Sequence, residues 1–173
     1  IDWVDGGQDD DLIVVGDGPN STAVGGGGAD EIWGGGYRDV LHGDSTQTDQ
    51  TTSSDAGNDE IHGYGGNDYL NGGPENDTII ILAGQSYYVQ AIGGGGSDHI
   101  VVEEDLSVDI QGDYSTDGSD TEQSTGAGAD TIDIWSPNQG AVVINTGGGN
   151  DVIHDNGSES TAYISLGSGN DLF

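Results

Sequence analysis

Ten aspartates carry the chemical signal of this chain: Asp11, Asp30, Asp39, Asp59, Asp68, Asp77, Asp98, Asp130, Asp151 and Asp171. Each ends a stretch rich in glycine or small polar residues. Each is followed two residues later by a large apolar residue: Ile13, Ile32, Leu41, Ile61, Leu70, Ile79, Ile100, Ile132, Ile153 and Phe173. Carboxylates repeated at such intervals repel one another unless a cation lies between them.

The composition sharpens this choice. Asp and Glu supply 32 residues and Gly 34, against one basic residue, Arg38, and the formal net charge is -31. A chain so acidic and so poor in large apolar residues has the signature of a disordered linker. A linker has no reason to place an aliphatic residue two positions after each aspartate. The regular spacing therefore favours a fold whose acids are neutralised by bound cations. One arginine cannot neutralise phosphates, so nucleic acid is excluded as a partner. The longest apolar run, Ile79 to Ala83, is too short to cross a membrane as a helix, and membrane insertion is not expected. There is no cysteine, so bound calcium would have to do the stapling that disulfides do elsewhere. No signal peptide is visible, and a start at Ile1 suggests a piece of a longer protein.

The aspartates belong to a nine-residue repeat of the form G-G-x-G-x-D-x-U-x, where U is large and apolar. Gly25–Trp33 (GGGGADEIW), Gly34–His42 (GGGYRDVLH), Gly63–Asn71 (GYGGNDYLN), Gly72–Ile80 (GGPENDTII) and Gly93–Val101 (GGGGSDHIV) are the fullest copies. Partial copies begin at Gly6, Ser54, Thr125, Thr146 and Leu166. The glycines allow a tight turn at positive φ, and the x-U-x that follows reads as a short strand with U inward. Two such units make one coil with a turn at each side, and only stacked coils bury a core. The expected fold is all-β: a single right-handed parallel β-roll, a β-helix solenoid, over residues 1–173.

Alternate repeats must lie on opposite sides of the roll. Asp11, Asp30, Asp59, Asp77, Asp98, Asp130, Asp151 and Asp171 can form one continuous row, a long calcium row. Two of its steps are long, and each contains a polar stretch expected to project as an inserted loop, at about 45–54 and 113–125. On the other side only Asp39 and Asp68 keep the motif. Ser21, Ser86, Ser107 and Ser160 fall near the equivalent position, so few calcium ions are expected there.

The sequence resembles the RTX (repeats-in-toxin) nonapeptide family over nearly its whole length apart from the two insertions. The resemblance implies that calcium is held between successive turns on one side by aspartate carboxylates and glycine-loop carbonyls. The ligands would then be the ten aspartates, with carbonyls of Gly25, Gly27, Gly28, Gly72, Gly93, Gly95, Gly96 and Gly148. Such an oxygen-only set suits Ca²⁺ rather than Mg²⁺ or Zn²⁺. Asp9, Tyr37 and Glu75 depart from the fourth glycine of the repeat. The family is typically exported through a type I channel, so the resemblance also implies an extracellular or cell-surface location.

No HExxH, GxSxG or P-loop occurs, and catalysis is not expected. The expected function is that of a secreted calcium-binding structural or adhesive module, folding on Ca²⁺ outside the cell, in an adhesin, surface-layer or filament-forming protein. The alternative is the C-terminal secretion and folding module of an extracellular enzyme or toxin. Uncapped ends suggest either a piece of a longer roll or copies that stack end to end. An outward stripe of Val14, Trp33, His62, Ile80, Val101, Asp133 and His154 either contacts another copy or a cell-surface or matrix ligand, or covers its own neighbours. The histidines read as exposed surface residues. Asp113-x-Ser115-x-Asp117-Gly118 begins like an EF-hand loop but has Ser124 where that loop needs Glu, so a solvated loop is expected rather than the alternative, a loose extra calcium site.

Overall fold

A computed structural model describes residues 3–44, 56–82, 88–103, 107–113, 128–135, 140–156 and 162–173. The predicted insertion at 45–54 lies outside these residues, as do Ser86 and Ser160. Of the stretch 113–125, only Asp113 is described.

The described chain is all-β, with fifteen strands in two parallel sheets. One sheet stacks β1 (Trp3–Gln8), β3 (Ser21–Gly27), β5 (Asp39–Asp44), β7 (Tyr69–Gly73), β9 (Tyr88–Gly94), β11 (Ser107–Asp113), β13 (Val142–Asn145) and β15 (Ala162–Ser165). The other stacks β2 (Leu12–Val14), β4 (Glu31–Trp33), β6 (Glu60–Gly63), β8 (Thr78–Ile81), β10 (His99–Val102), β12 (Thr131–Ile134) and β14 (Val152–Asp155). The chain thus alternates between sheets at every strand, which is the path of a parallel β-roll. Among the described residues there is no helix, and none long and apolar enough to cross a membrane.

Register explains the apolar spacing. In the second sheet Ile13, Ile32, Ile61, Ile79, Ile100, Ile132 and Ile153 sit in one in-register column, all facing the core. In the first sheet the facing column is Ala23, Leu41, Leu70, Ala91, Ile110 and Ile144. The predicted core residues therefore divide between two opposed columns. Phe173, expected in the core, is 66% exposed. It lies beside the last described rung, where no further coil covers it. A third column deepens the core with Val15, Ile81, Val102 and Ile134.

Because each aliphatic packs on the rung above and below, a gap in the middle is costly. Ile100 is wholly buried between Ile79 and Ile132. Ile100→Ala should cost about 3–4 kcal/mol by the usual cavity penalty. Val14→Ala, at a residue 68% exposed, should cost under about 0.5 kcal/mol. Denaturant unfolding of both variants with calcium saturating checks the difference.

Candidate metal centre

Each repeat turns at its glycines. The second glycine of the turn takes a positive φ, 120° at Gly26, 128° at Gly73 and 125° at Gly94, a conformation open mainly to glycine. The aspartate closes the turn and opens the next strand, so its side chain is delivered to the edge of the stack at the same height in every coil.

The eight aspartates assigned to one side do form one row. The Asp11 N–H donates to Asp30 Oδ1 at 2.8 Å, and the Asp30 N–H to Asp59 Oδ1 at 2.8 Å. The pattern continues from Asp59 to Asp77, Asp77 to Asp98, Asp98 to Asp130, Asp130 to Asp151 and Asp151 to Asp171, at 2.9–3.1 Å. The row passes unbroken across the two long steps, where the partners are 29 and 32 residues apart in sequence. The insertions leave the coil geometry intact.

The other carboxylate oxygens carry the argument. Oδ2 of Asp11, Asp30, Asp59, Asp77, Asp98, Asp130 and Asp151 is buried with no hydrogen-bond partner. Each of the first six points at the α-carbon of the glycine that opens its turn: Gly6, Gly25, Gly43, Gly72, Gly93 and Gly112. A carbonyl oxygen of the next coil arrives at the same place, from Gly25, Gly43, Gly72, Gly93, Gly112 and Thr146 respectively. In each case both oxygens lie within 2.7 Å of the point where a glycine Cβ would stand. A carboxylate oxygen and a carbonyl oxygen share each point. Buried acceptors facing acceptors are strongly unfavourable unless a cation lies between them. The donor set is all oxygen, carboxylate and carbonyl, which suits Ca²⁺.

Burial also disfavours ionisation of several acids of the row. It pushes the carboxyl of Asp77 up to about 10, Asp59 and Asp130 to about 8 and Asp98 to about 7, from an ordinary 3.8. Neighbouring carboxylates of the row add to the shift, while the N–H bond from the previous rung opposes it. Asp30 shifts upward for the same reason.

The second side is short, as expected. The Ser21 N–H donates to Asp39 Oδ1 at 3.3 Å and the Asp39 N–H to Asp68 Oδ1 at 2.8 Å. The Gly35 N–H occupies Asp39 Oδ2 at 2.8 Å, so only Asp68 Oδ2 is left buried and unpaired. Beyond Asp68 the register differs from the sequence reading, by one residue at Ser107. Ser107 pairs with Tyr88, and the place of Asp68 passes to Val89, Val108 and Val142, all buried. Here the position faces the core, and valine fills it where an uncompensated carboxylate could not.

The predicted carbonyl positions divide. Those of Gly25, Gly72 and Gly93 meet the aspartate row. Those of Gly28 and Gly96 lie over the α-carbons of Gly57 and Gly128 in the following loop. Gly27 is paired with Gln8, the Gly95 N–H bonds the Gly73 carbonyl at 2.8 Å, and the Gly148 N–H bonds Asp113 Oδ2 at 2.8 Å. The carbonyls of Gly43, Gly112 and Thr146 were missed, because Gly43 and Gly112 precede the insertions and Thr146 replaces a glycine. Asp9 and Glu75 do adopt the left-handed backbone of the glycine they replace, with φ of 81° and 77°.

Two further buried carboxylates escaped the repeat pattern. Asp44 and Asp113, 5% and 4% exposed, occupy the second turn position, in register with Gly26 and Gly94. Asp113 therefore ends β11 and is not part of a solvated loop. Its oxygens accept from the N–H groups of Gly128 at 3.3 Å and Gly148 at 2.8 Å. The signal was present: the dipeptide Gly-Asp stands before both polar insertions, where other turns have Gly-Gly.

The outward stripe is also in register, from Val14 through Trp33, His62, Ile80, Val101 and Asp133 to His154. Trp33 stacks on His62 with ring centroids 4.1 Å apart, and His62 is 7% exposed, not a surface residue. His42 is half-buried against Tyr69 at 5.6 Å, and burial lowers its pKa. His99 and His154 remain exposed and flank Asp133 at 2.8 and 2.6 Å. Burial pushes the Asp133 carboxyl up, but these two hydrogen bonds outweigh it and hold the group below the usual range.

A family model for the RTX calcium-binding nonapeptide repeat matches the chain four times, over residues 1–21, 22–45, 53–79 and 138–158, more than half of its length. Comparison with curated proteins and with solved structures found no match.

Proposed function

Because this chain belongs to the RTX calcium-binding nonapeptide-repeat family, we propose that it is a non-catalytic, secreted module that folds on Ca²⁺ outside the cell, as the scaffold of an adhesin, surface-layer or filament-forming protein. The observation that carries the reading is the row of buried, unpaired Oδ2 atoms, each facing a carbonyl of the next coil. The bound ion supplies the positive charge that lets neighbouring rungs approach. The aspartates supply carboxylates from fixed heights, and the glycines keep the space clear. In the folded roll the Oδ1–N–H ladder fixes the register of neighbouring rungs.

Dependence on calcium suits export. Extracellular modules bind calcium at about 10⁻⁴–10⁻³ M. At cytosolic calcium the carboxylates would repel and the chain would stay extended, in a state able to thread a secretion channel. Outside, binding free energy becomes folding free energy. Support for the structural role comes from the two long parallel sheets and from the absence of catalytic motifs in the sequence.

Small-angle scattering tests this reading. An unfolded chain of this length has a radius of gyration of roughly 44 Å, whereas a compact one is nearer about 16 Å. The radius should be close to the larger value in chelator and should contract severalfold in millimolar calcium. An equally compact chain in both buffers would overturn the proposal.

A further inference from the structure

Thr146 stands where the row opens its seventh turn. Asn145 is in register with Gln111 and Ser165, so Thr146 continues the place of Gly112, and Leu166 continues that of Thr146. Glycine holds this place in the six earlier coils, at Gly6, Gly25, Gly43, Gly72, Gly93 and Gly112. At each of them the point that a Cβ would take lies within 2.7 Å of an aspartate Oδ2 and of a carbonyl oxygen of the next coil. That is close to the length of a calcium–oxygen bond, about 2.3–2.6 Å. The paired oxygens therefore converge where a side chain would begin.

Thr146 is wholly buried and has a carbon at that point. A carbon cannot share it with an ion. The hydroxyl on this carbon donates to the Leu166 carbonyl at 3.0 Å, the oxygen that the next coil brings to the place. The Thr146 N–H donates to the Ser165 carbonyl, also at 3.0 Å, and holds the two coils in register. A hydroxyl proton thus meets the Leu166 carbonyl where the earlier turns leave room for an ion. One coil further Leu166 again brings a side chain, partly buried against the core. Asp151 keeps its half of the ladder, because the Asp130 N–H donates to its Oδ1 at 3.0 Å. Its Oδ2 is buried without a donor. At this rung the chain retains the carboxylate and loses the space beside it.

We propose that the calcium row ends at the turn of Asp130, and that Thr146 plugs the seventh position, binding the Leu166 carbonyl through its hydroxyl in place of an ion. This departs from the repeat, which would give Asp151 an ion of its own. Asp151 then serves the stack through its Oδ1 alone. The proposal rests on the reading that calcium folds the chain.

Equilibrium dialysis with radioactive calcium counts the ions per folded chain in wild type, Thr146→Gly and Thr146→Val. Thr146→Gly clears the point and restores the residue of the six earlier turns, so it should hold one ion more than wild type. Thr146→Val keeps the plug and loses the hydroxyl, so it should melt earlier but hold the wild-type number. Should Thr146→Val fail to fold, Thr146→Ala keeps the Cβ and carries the same expectation. An unchanged count in Thr146→Gly overturns the proposal and leaves the calcium-folding reading intact. So does the loss of an ion in Thr146→Val, which would make the hydroxyl a ligand. Thr146→Gly that folds at no calcium concentration also overturns it, because six turns of the same roll form around glycine at this place. Wild type that folds without binding calcium removes both readings.

Discussion

In excess chelator at pH 7.5 the chain will lose its strand circular dichroism, and acidification to about pH 4 will restore part of it. The buried carboxyls of Asp44, Asp68 and Asp98 sit at about 7, those of Asp59 and Asp130 at about 8 and that of Asp77 at about 10. Their ordinary value is 3.8. A group whose pKa is raised by folding favours the fold in its protonated form. The metal-free fold is therefore least opposed below about pH 4, where these acids are neutral folded or unfolded. That support is lost as the pH climbs through 7 and on towards 10. With calcium saturating, the dependence reverses. Ionised carboxylates hold the ions, and protons compete for the same oxygens, so the loaded fold weakens on acidification. Two pH titrations, one in chelator and one in calcium, should slope in opposite directions. A strand spectrum that persists in chelator at pH 7.5 would sink the account.

The second large effect belongs to a single rung. Asp77→Ala should destabilise the calcium-loaded fold by about 3–5 kcal/mol, the range for removing one partner from a buried charge pair. Its carboxylate does two jobs. Oδ1 accepts from the Asp59 N–H at 2.9 Å, and Oδ2 faces the carbonyl of Gly93 beside Gly72. Removing it orphans a buried N–H and takes a charged ligand from the row. Asp171→Ala, on the last rung, removes the acceptor of one N–H bond of 3.1 Å at a half-buried residue. It should cost under about 1 kcal/mol. Guanidinium unfolding of the two variants in saturating calcium measures the gap. Equal losses at both positions would mean that the rungs act independently of their neighbours, contrary to a stacked row.

Of the two readings open to the outward stripe, Trp33 favours cover of its own neighbours. Stacking on His62, with Tyr64 at 5.9 Å beyond it, makes Trp33 a cover for its own sheet. Residues at the stack ends are more open: Trp3, Leu12 and Val14 at one, Tyr163 and Leu172 at the other, each more than three-fifths exposed.

Periodicity alone placed the isoleucine column and the eight-member aspartate row correctly, because a coil of fixed length must return each side chain to the same height. It placed the row even across steps of 29 and 32 residues, since a polar insertion contributes nothing to the core and can be subtracted. It also put Leu41 and Ile100 on opposite sides, with Asp39 and Asp98. It could not show that Val89, Val108 and Val142 take the place of Asp68, because one residue of slip reverses which side chains face inward. Least legible were the acids outside the motif. Asp44 and Asp113 carry the same dipeptide and precede similar insertions. What differs is which N–H groups neighbouring coils bring to them: Gly128 and Gly148 hold Asp113, and Gly57 approaches Asp44. That outcome depends on the stacking of coils far apart in sequence, so it is settled only when the roll closes.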